Sequence, residues 1–284
     1  MKKLFFLAAA MFAAMTINAT ELFDGSHAIT WDTPLNLEAA KFADAQPGQK
    51  IVVTYSDATD GMEFKVLEVW DHLAGSREAL FFNKLSGNSY EQFLTPAAVE
   101  QLKAHGLQIV GNHFTATHVE LAEGKDLKEG ITVWTGFFWA DEWSTLELYA
   151  EGYNAVDFSN VSAIRFYSEA AGSAYVLNFL QGWGEGEKFA DQNDMTDGEG
   201  YKELALTDDL RTRLAAAGHW MVQFNKEALG AFNVTDIVLV PVPGDTTAVE
   251  NIAVEKKAVK MMENGQLVII KNGVRYNALG AKLQ

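Results

Sequence analysis

Residues 90–121 read YEQFLTPAAVEQLKAHGLQIVGNHFTATHVEL, and this stretch predicts a strand, a short helix and two further strands. Thr95 can cap the first turn of the helix, and Pro96 suits its first position. Gly106 can end the helix in a left-handed conformation, after which Leu107–Val110 and Phe114–Leu121 have the composition of strands. The stretch therefore predicts a β-rich domain that contains one short helix.

A diverged copy of this stretch begins at Tyr201 and closes at Leu239. Upstream, Trp31 and Trp143 are 112 residues apart, and Trp70 and Trp183 are 113 residues apart. The other matched pairs are Tyr90 with Tyr201, Leu94-Thr95 with Leu206-Thr207, Gly106 with Gly218, Thr117 with Thr235, and Gly25 with Gly136. Because nearly one offset holds throughout, we predict a duplicated domain, with a period too long for a solenoid repeat.

The copy repeats the helix as well as the strands. Thr207 takes the capping position, Leu210 and Leu214 share the apolar face, and Gly218 takes the place of the left-handed glycine. Many short strands separated by turn residues, with one helix per copy, favour an all-β fold of two tandem jelly-roll β-sandwich domains. We expect the first domain at residues 20–123, a charged linker, and the second domain at residues 131–243.

Both ends of the chain have their own patterns. Residues 1–19 have the features of a secretory signal peptide: Lys2-Lys3, the apolar run Leu4–Met15 and a small residue, Ala19. The apolar run is shorter than the roughly 20 residues of a membrane span, and a buried N-terminal helix is the alternative. At residues 248–284 the strand Leu267–Ile270, between Asn264-Gly265 and Asn272-Gly273, predicts a β-hairpin tail.

Composition limits the possible partners. The formal net charge is −16, and such a surface repels phosphate backbones and anionic lipid, which speaks against nucleic acid and membrane-surface partners. Neutral and cationic ligands remain open. The absence of cysteine excludes disulfides, thiolate metal sites and a cysteine nucleophile.

Trp70 and Trp183 follow matching strands. Three apolar residues alternate along one face of each strand, and the next position on that face is Glu68 in the first copy and Gln181 in the second. An indole stacks on the apolar C–H face of a pyranose, while a carboxylate or amide beside it hydrogen-bonds the hydroxyls. We therefore predict a carbohydrate site at Trp70, Trp183, Glu68, Gln181 and Asp71, the alternative being that both indoles close the ends of two cores.

Other aromatic residues carry weaker signals. For Trp31 and Trp143 we expect packing in the core or at its rim. Phe137-Phe138-Trp139 has no full counterpart in the first copy, and the sequence does not decide between a patch where the domains meet and a ligand surface.

Signals for metals and catalysis are also weak. We expect no cofactor; calcium in the loop of Asp191, Asn193, Asp194, Asp197 and Glu199 is the exception to test, with a solvated acidic loop as the alternative. No serine elbow, phosphate loop or dinucleotide fingerprint is present, so we expect no enzyme activity, although folding can assemble a carboxylate pair for glycoside hydrolysis.

Two resemblances follow from these residues. The repeated domain resembles the galactose-binding-like jelly-roll modules of secreted glycan-active proteins from anaerobic Gram-negative bacteria. In the first copy the residues that show this are Leu22–Gly25, Lys50–Tyr55, Trp70, Tyr90, the Thr95 helix and Gly106–Leu121. That resemblance implies carbohydrate binding. The tail Asn264–Leu283 looks like a type IX secretion C-terminal sorting signal, which implies passage through the periplasm and recognition by secretion machinery; a β-hairpin cap without a targeting role is the alternative.

Together these patterns predict a secreted or outer-membrane surface protein that binds polysaccharide without catalysis. A structural or adhesive surface protein with protein partners is the first alternative. A glycoside hydrolase or lyase, as the catalytic protein or an accessory to one, is the second.

Overall fold

A computed structural model describes residues 19–68, 70–76, 80–81, 87–141, 143–169, 175–184, 187–225, 232–243, 259–263, 266–271 and 274–277. Within these ranges the chain is mostly β-strand and has two short α-helices, which confirms the predicted all-β sandwich fold. Neither helix in the described part of the chain combines the length and the apolar character that crossing a bilayer requires.

The first sandwich has two antiparallel sheets. Its elements are β1 (Thr20–Ile29), β2 (Leu35–Leu37), β3 (Lys50–Ser56), β4 (Glu63–Glu68), β5 (Asp71–His72), β6 (Leu80–Phe81), β7 (Ser89–Phe93), α1 (Pro96–His105), β8 (Leu107–Asn112) and β9 (Phe114–Ala122). One sheet has the order β1-β9-β3-β7 and the other β2-β8-β4-β5, with β6 also paired to β4.

The second sandwich repeats this strand order. Its elements are β10 (Ile131–Ala140), β11 (Ser144–Tyr149), β12 (Val161–Ser168), β13 (Val176–Leu180), β14 (Lys188–Asp191), β15 (Thr196–Gly198), β16 (Tyr201–Ala205), α2 (Asp208–Ala216), β17 (His219–Asn225) and β18 (Phe232–Pro241). The sheets are β10-β18-β12-β16-β15 and β11-β17-β13-β14. Among the described strands, every strand of the first sandwich except β6 therefore has a counterpart, and β15 is an addition.

Each sandwich encloses its own apolar core. Buried residues between Leu22 and Leu121 form one cluster, and buried residues between Ile131 and Leu239 form the other. Strand β3 illustrates the cause: Ile51, Val53 and Tyr55 are buried while the residues between them are partly exposed, as expected of a strand with one face on the core.

The two helices begin alike and end differently. Thr95 Oγ1 accepts a hydrogen bond from the Ala98 N–H at 3.2 Å, and Thr207 Oγ1 accepts one from Leu210 at the same distance, as predicted. Gly106 ends α1 with φ of 85°. The prediction for Gly218 was wrong: α2 stops at Ala216, Ala217 is extended, and Gly218 does not adopt a left-handed φ.

The C-terminal tail forms an antiparallel three-stranded sheet of β19 (Val259–Glu263), β20 (Gln266–Lys271) and β21 (Val274–Asn277). The predicted strand Leu267–Ile270 lies within β20. The two Asn-Gly turns, residues 278–284 and all of the predicted signal peptide except Ala19 lie outside the described residues.

Lys125 in the linker connects the two sandwiches. Its Nζ donates hydrogen bonds to the carbonyl oxygens of Gly136 at 3.1 Å and Thr235 at 2.6 Å, and it faces the buried carboxylate of Asp236 at 3.3 Å. The same ammonium lies over the ring of Phe93 from the first sandwich and the ring of Phe137 from the second. The linker is therefore fastened to both sandwiches at this residue.

Candidate functional site

Trp70 lies on the turn between β4 and β5, and its side chain is 56% exposed. Its φ is 68°, a left-handed value that is unusual for a bulky residue. The turn is fixed by the Trp70 N–H, which donates to Gln108 Oε1 at 2.6 Å, while Gln108 Nε2 donates to Asn36 Oδ1 at 2.9 Å. The indole thus projects into solvent from a hydrogen-bonded turn.

Trp183 lies on the corresponding connection of the second sandwich, between β13 and β14, and is 66% exposed. Glu187 closes this loop: its carbonyl oxygen accepts from the Gln181 N–H at 2.6 Å, and its carboxylate accepts from the Gly184 N–H at 2.8 Å. The Gln181 side chain is exposed beside it. Neither Trp70 nor Trp183 closes a core, because both indoles are mostly in solvent.

Glu68 is engaged by helix α1. One carboxylate oxygen accepts from Gln101 Nε2 at 3.0 Å, and the other lies 3.4 Å from His105 Nε2. Its side chain is largely buried, so it fastens α1 to β4 instead of standing free beside the indole. Asp71 is exposed and accepts a hydrogen bond from the His72 N–H at 2.9 Å.

An aromatic stack crosses from one sandwich to the other near these turns. The His72 ring lies flat on Tyr149, with centroids 3.6 Å apart and an interplanar angle of 3°. Tyr149 in turn stacks with its cross-strand neighbour His219, which contacts the Glu147 carboxylate at 3.1 Å. Because Leu180 pairs with Met221, the Trp183 loop lies at the same end of its sheet as His219. The Trp70 turn, which leads directly into His72, therefore lies beside the junction between the two sandwiches, and the Trp183 loop lies at the end of its sheet that includes His219.

Three carboxyl groups gather beside this stack. Burial raises the pKa of Glu151 above its usual range, and the nearby carboxyl groups of Asp71, within hydrogen-bonding reach, and of Glu68 raise it further. Glu151 belongs to the second sandwich, whereas Asp71 and Glu68 belong to the first. The junction between the two sandwiches therefore gains mutually repelling negative charge as the pH rises.

A cavity of about 260 Å³ also lies between the sandwiches. Its lining includes Pro96 and Gln101 from α1 and Thr132, Glu151 and Tyr153 from the second sandwich. Trp70 and Trp183 are not among its lining residues, so the predicted ligand-binding indoles stand on exposed turns outside this cavity.

The remaining exposed aromatic residues lie on turns and on strand β10. Trp31 and Trp143 lie on the turns that connect β1 to β2 and β10 to β11; they are 39% and 49% exposed, so neither is enclosed in a core, and packing at the rim stays a prediction. Phe137 packs edge-on against Phe93 of the first sandwich at 5.5 Å, which supports a patch between the domains. Trp139 instead remains 60% exposed. The outward alternation of Phe137 and Trp139 on one strand was the signal that sequence reasoning did not use.

The acidic loop is organised by internal contacts. Asp191 accepts a hydrogen bond from the Asn193 N–H and forms an ion pair with Lys188, while Asp194 caps the Asp191 N–H at 2.9 Å. Asp197 pairs with Lys202 at 2.6 Å. Among the described residues, no three His, Asp or Glu side chains converge in a way that suits a metal ion, and calcium binding stays a prediction.

Comparison with known proteins finds likenesses among solved structures alone. No family model and no curated protein matches the sequence. Among solved structures, the chain is similar to SGBP-B of a Bacteroides ovatus mixed-linkage glucan utilization locus, solved in complex with a mixed-linkage heptasaccharide. The identity is 20% and the TM-score 0.32, over 36% of this chain and 30% of that one. This likeness covers less than a third of SGBP-B and is too low to transfer a ligand.

Proposed function

We propose that this protein is a secreted or surface-attached, non-catalytic glycan-binding protein. The observation that carries the proposal is the exposure of Trp70 and Trp183 on equivalent turns of two sandwiches. Leaving indoles in water forgoes the free energy of burying them, so their retention at matched, exposed positions favours contact with a ligand. The C–H face of a pyranose covers such a ring without requiring a deep pocket.

Polar groups near the rings supply the hydrogen bonds in this proposal. The exposed Gln181 amide can donate to and accept from hydroxyls, and the exposed Asp71 carboxylate can accept from them. Glu68 has a positioning role, because its carboxylate holds α1 against the strand that leads to Trp70. The net charge of −16 favours neutral over anionic polysaccharides.

The carboxyl pair at the junction favours binding over hydrolysis. Glycoside hydrolases hold their two carboxyl groups about 5 Å apart or farther, so that a sugar or water fits between them. Asp71 is one of the groups whose proximity raises the pKa of Glu151, and we propose that this pair is too close for such an arrangement. Incubation with a polysaccharide panel is therefore expected to release no reducing sugar, and release that depends on Glu151 would contradict this part of the proposal.

The proposal includes an organisation for the chain. Two modules, residues 20–123 and 131–243, follow a cleaved signal peptide at residues 1–19, and residues 248–284 act as a sorting tail read by secretion machinery. The two separate cores and the independent sheet of β19, β20 and β21 support this division. Expressing the chain with and without its tail in a host that has type IX secretion tests the tail; equal export of both forms would argue for a β cap.

Native affinity electrophoresis through gels that contain a β-glucan, a galactomannan or a xylan tests the function. The variant Trp70→Gly with Trp183→Ala is expected to lose about tenfold or more in affinity for any polysaccharide that retards the wild type. Glycine suits the left-handed φ at position 70, so the fold should persist. Trp31→Ala is the matched control, since Trp31 is also exposed but lies at the other end of the first sandwich.

Two outcomes would contradict the proposal. Unchanged retardation of the double variant would remove Trp70 and Trp183 from the site. Failure of the wild type to bind any polysaccharide in the panel would favour the adhesive alternative, in which the acidic sandwiches contact a protein partner.

A further inference from the structure

A second group of exposed indoles lies at the opposite end of the second sandwich from Trp183. Strand β13 runs from Val176, paired with Asn225, to Leu180, paired with Met221, and Trp183 follows Leu180. The turn that carries Trp143 leads into Ser144, which pairs with Phe224. Trp143 therefore lies at the end of the sheet where β13 begins, and Trp139 stands close to the same end, one residue before the end of β10.

Trp139 projects outward from β10 beside polar groups. Its cross-strand neighbour is Asn233, whose Nδ2 donates to Glu169 Oε2 at 2.8 Å, and the Glu169 N–H donates to the Asn233 carbonyl oxygen at 2.9 Å. Each carboxylate oxygen of Glu169 has more than one acceptor position, so the group can also accept from a hydroxyl. An amide, from Asn233, and the carboxylate of Glu169 therefore lie near the exposed ring of Trp139.

Trp143 is exposed to solvent on a turn in which its own backbone conformation is unfavourable. Its φ is 54°, in the left-handed region that bulky residues avoid at a cost of about 1–2 kcal/mol. The turn is closed by Asp141 and Ser144, whose side chains hydrogen-bond each other while Ser144 Oγ also accepts from the Asp141 N–H at 2.9 Å. Glycine or asparagine would fit this position better, so retention of an indole 49% exposed there favours a role in contact rather than in stability.

The first sandwich does not repeat the pair. Trp31 occupies the turn that corresponds to Trp143, but Ala28 occupies the strand position that corresponds to Trp139. The registers establish this, since Ala28 pairs with Thr115 just before Ile29 pairs with Phe114, and Trp139 pairs with Asn233 just before Ala140 pairs with Phe232. This end of the first sandwich therefore has one indole where the second has two.

We propose that Trp139 and Trp143 form a second contact site for a neutral pyranose polymer, at the end of the second sandwich opposite the Trp183 loop. This inference rests on the proposed glycan-binding function. Glu169 and Asp141 beside the rings, together with the net charge of −16, repel polyanions, whereas the hydroxyls of a neutral sugar chain can donate to both carboxylates. A polymer long enough to reach both ends of the molecule is then held at two places, which strengthens binding without further contacts at either place.

The test compares three full-length variants: Trp139→Ser with Trp143→Gly, Trp70→Gly with Trp183→Ala, and Trp31→Ala. For the polysaccharide that retards the wild type, we expect Trp139→Ser with Trp143→Gly to weaken binding about tenfold and Trp31→Ala to change it less than about twofold. Titration calorimetry with a purified oligosaccharide of that polymer, too short to reach both ends, should give one bound molecule fewer per chain for the first variant than for the wild type. Position 139 faces solvent and glycine suits φ at position 143, so melting temperatures should stay close to that of the wild type.

Each other outcome has a defined meaning. If the wild type binds and Trp70→Gly with Trp183→Ala weakens it, but Trp139→Ser with Trp143→Gly leaves affinity and stoichiometry unchanged, the second site is overturned and the proposed function stands. If the wild type binds no polysaccharide, the proposed function fails and this inference fails with it. If sedimentation shows that the wild type self-associates and Trp139→Ser with Trp143→Gly does not, these rings contact a second copy of the chain and the inference is wrong.

Discussion

Burial and two neighbouring carboxyl groups act in the same direction on the pKa of Glu151, raising it above the value of an unfolded chain. The folded protein therefore holds this proton to a higher pH than the unfolded protein does. The stabilisation is complete below the unfolded pKa, near 4.5, and is lost as the pH rises toward the folded pKa. Above that range the junction contains mutually repelling carboxylates from both sandwiches.

Glu151→Gln should remove this part of the pH dependence. We expect the wild type to lose stability relative to the variant as the pH rises above about 4.5, because only the wild type must release the proton at this position. Urea unfolding at several pH values measures the difference. Glu100→Gln is a control from the same cavity, and a stability difference between wild type and Glu151→Gln that stays constant with pH would contradict the expectation.

At the scale of single residues, the sequence predicted where a residue lies along its strand better than it predicted which side chains that residue contacts. Matched spacing located Trp70 and Trp183 on equivalent connections, because duplication preserves the order of residues along strands. It did not predict that α1 would engage Glu68, since Gln101 and His105 reach that carboxylate through tertiary packing. Nor did it predict the left-handed φ of Trp70 and Trp143, which is opposed by their local preference.

Elements were predicted well where local chemistry decides them. The starts of both helices follow from a capping threonine, and β8 and β9 follow from the strand composition of Leu107–Val110 and Phe114–Leu121. The ends of the helices depend on what they meet in the fold. A side chain added at Gly106 would place its Cβ 2.2 Å from the Leu37 carbonyl oxygen, whereas one at Gly218 would meet nothing within 4 Å.

The same substitution should therefore have opposite effects in the two copies. Gly106→Ala combines a left-handed φ with a backbone clash, so we expect it to destabilise the protein by more than about 1 kcal/mol. Gly218→Ala meets neither obstacle and restricts the unfolded chain, so we expect a neutral effect or a gain of about 0.4–1 kcal/mol. Denaturant unfolding of both variants checks this, and equal losses would show that the two helix ends are alike after all.

At the scale of the whole molecule, the junction was not predictable from the duplication. A repeat indicates what each copy resembles, but it carries no information about the surface on which the copies meet. That surface is made by groups with different roles in the two copies, such as His72 stacking on Tyr149 and Phe93 meeting Phe137. The charged linker gave no sign that Lys125 would be partly buried against Asp236.

Lys125→Met should loosen this junction. Removing the ammonium leaves the Asp236 carboxylate buried, with Thr135 as its remaining side-chain partner among the residues that the structure describes. We expect a loss of about 3 kcal/mol, the lower end of the range for breaking a buried pair. Adding Asp236→Asn should restore part of that stability. Lys128→Met, in the same linker but at an exposed position, is the matched control in thermal and urea unfolding, and equal effects of Lys125→Met and Lys128→Met would contradict this role.

For the proposed glycan-binding function, the fastening of Lys125 to both sandwiches has a consequence for selectivity among polymers. A linker that swings freely would let the ring-bearing ends adapt to any spacing along a sugar chain. A linker held by three hydrogen-bond acceptors and two aromatic rings keeps that spacing nearly constant. The molecule would then bind most tightly to polysaccharides whose sugar faces recur at the fixed distance between its contact sites. A polymer whose twist gives a different spacing would contact one site alone.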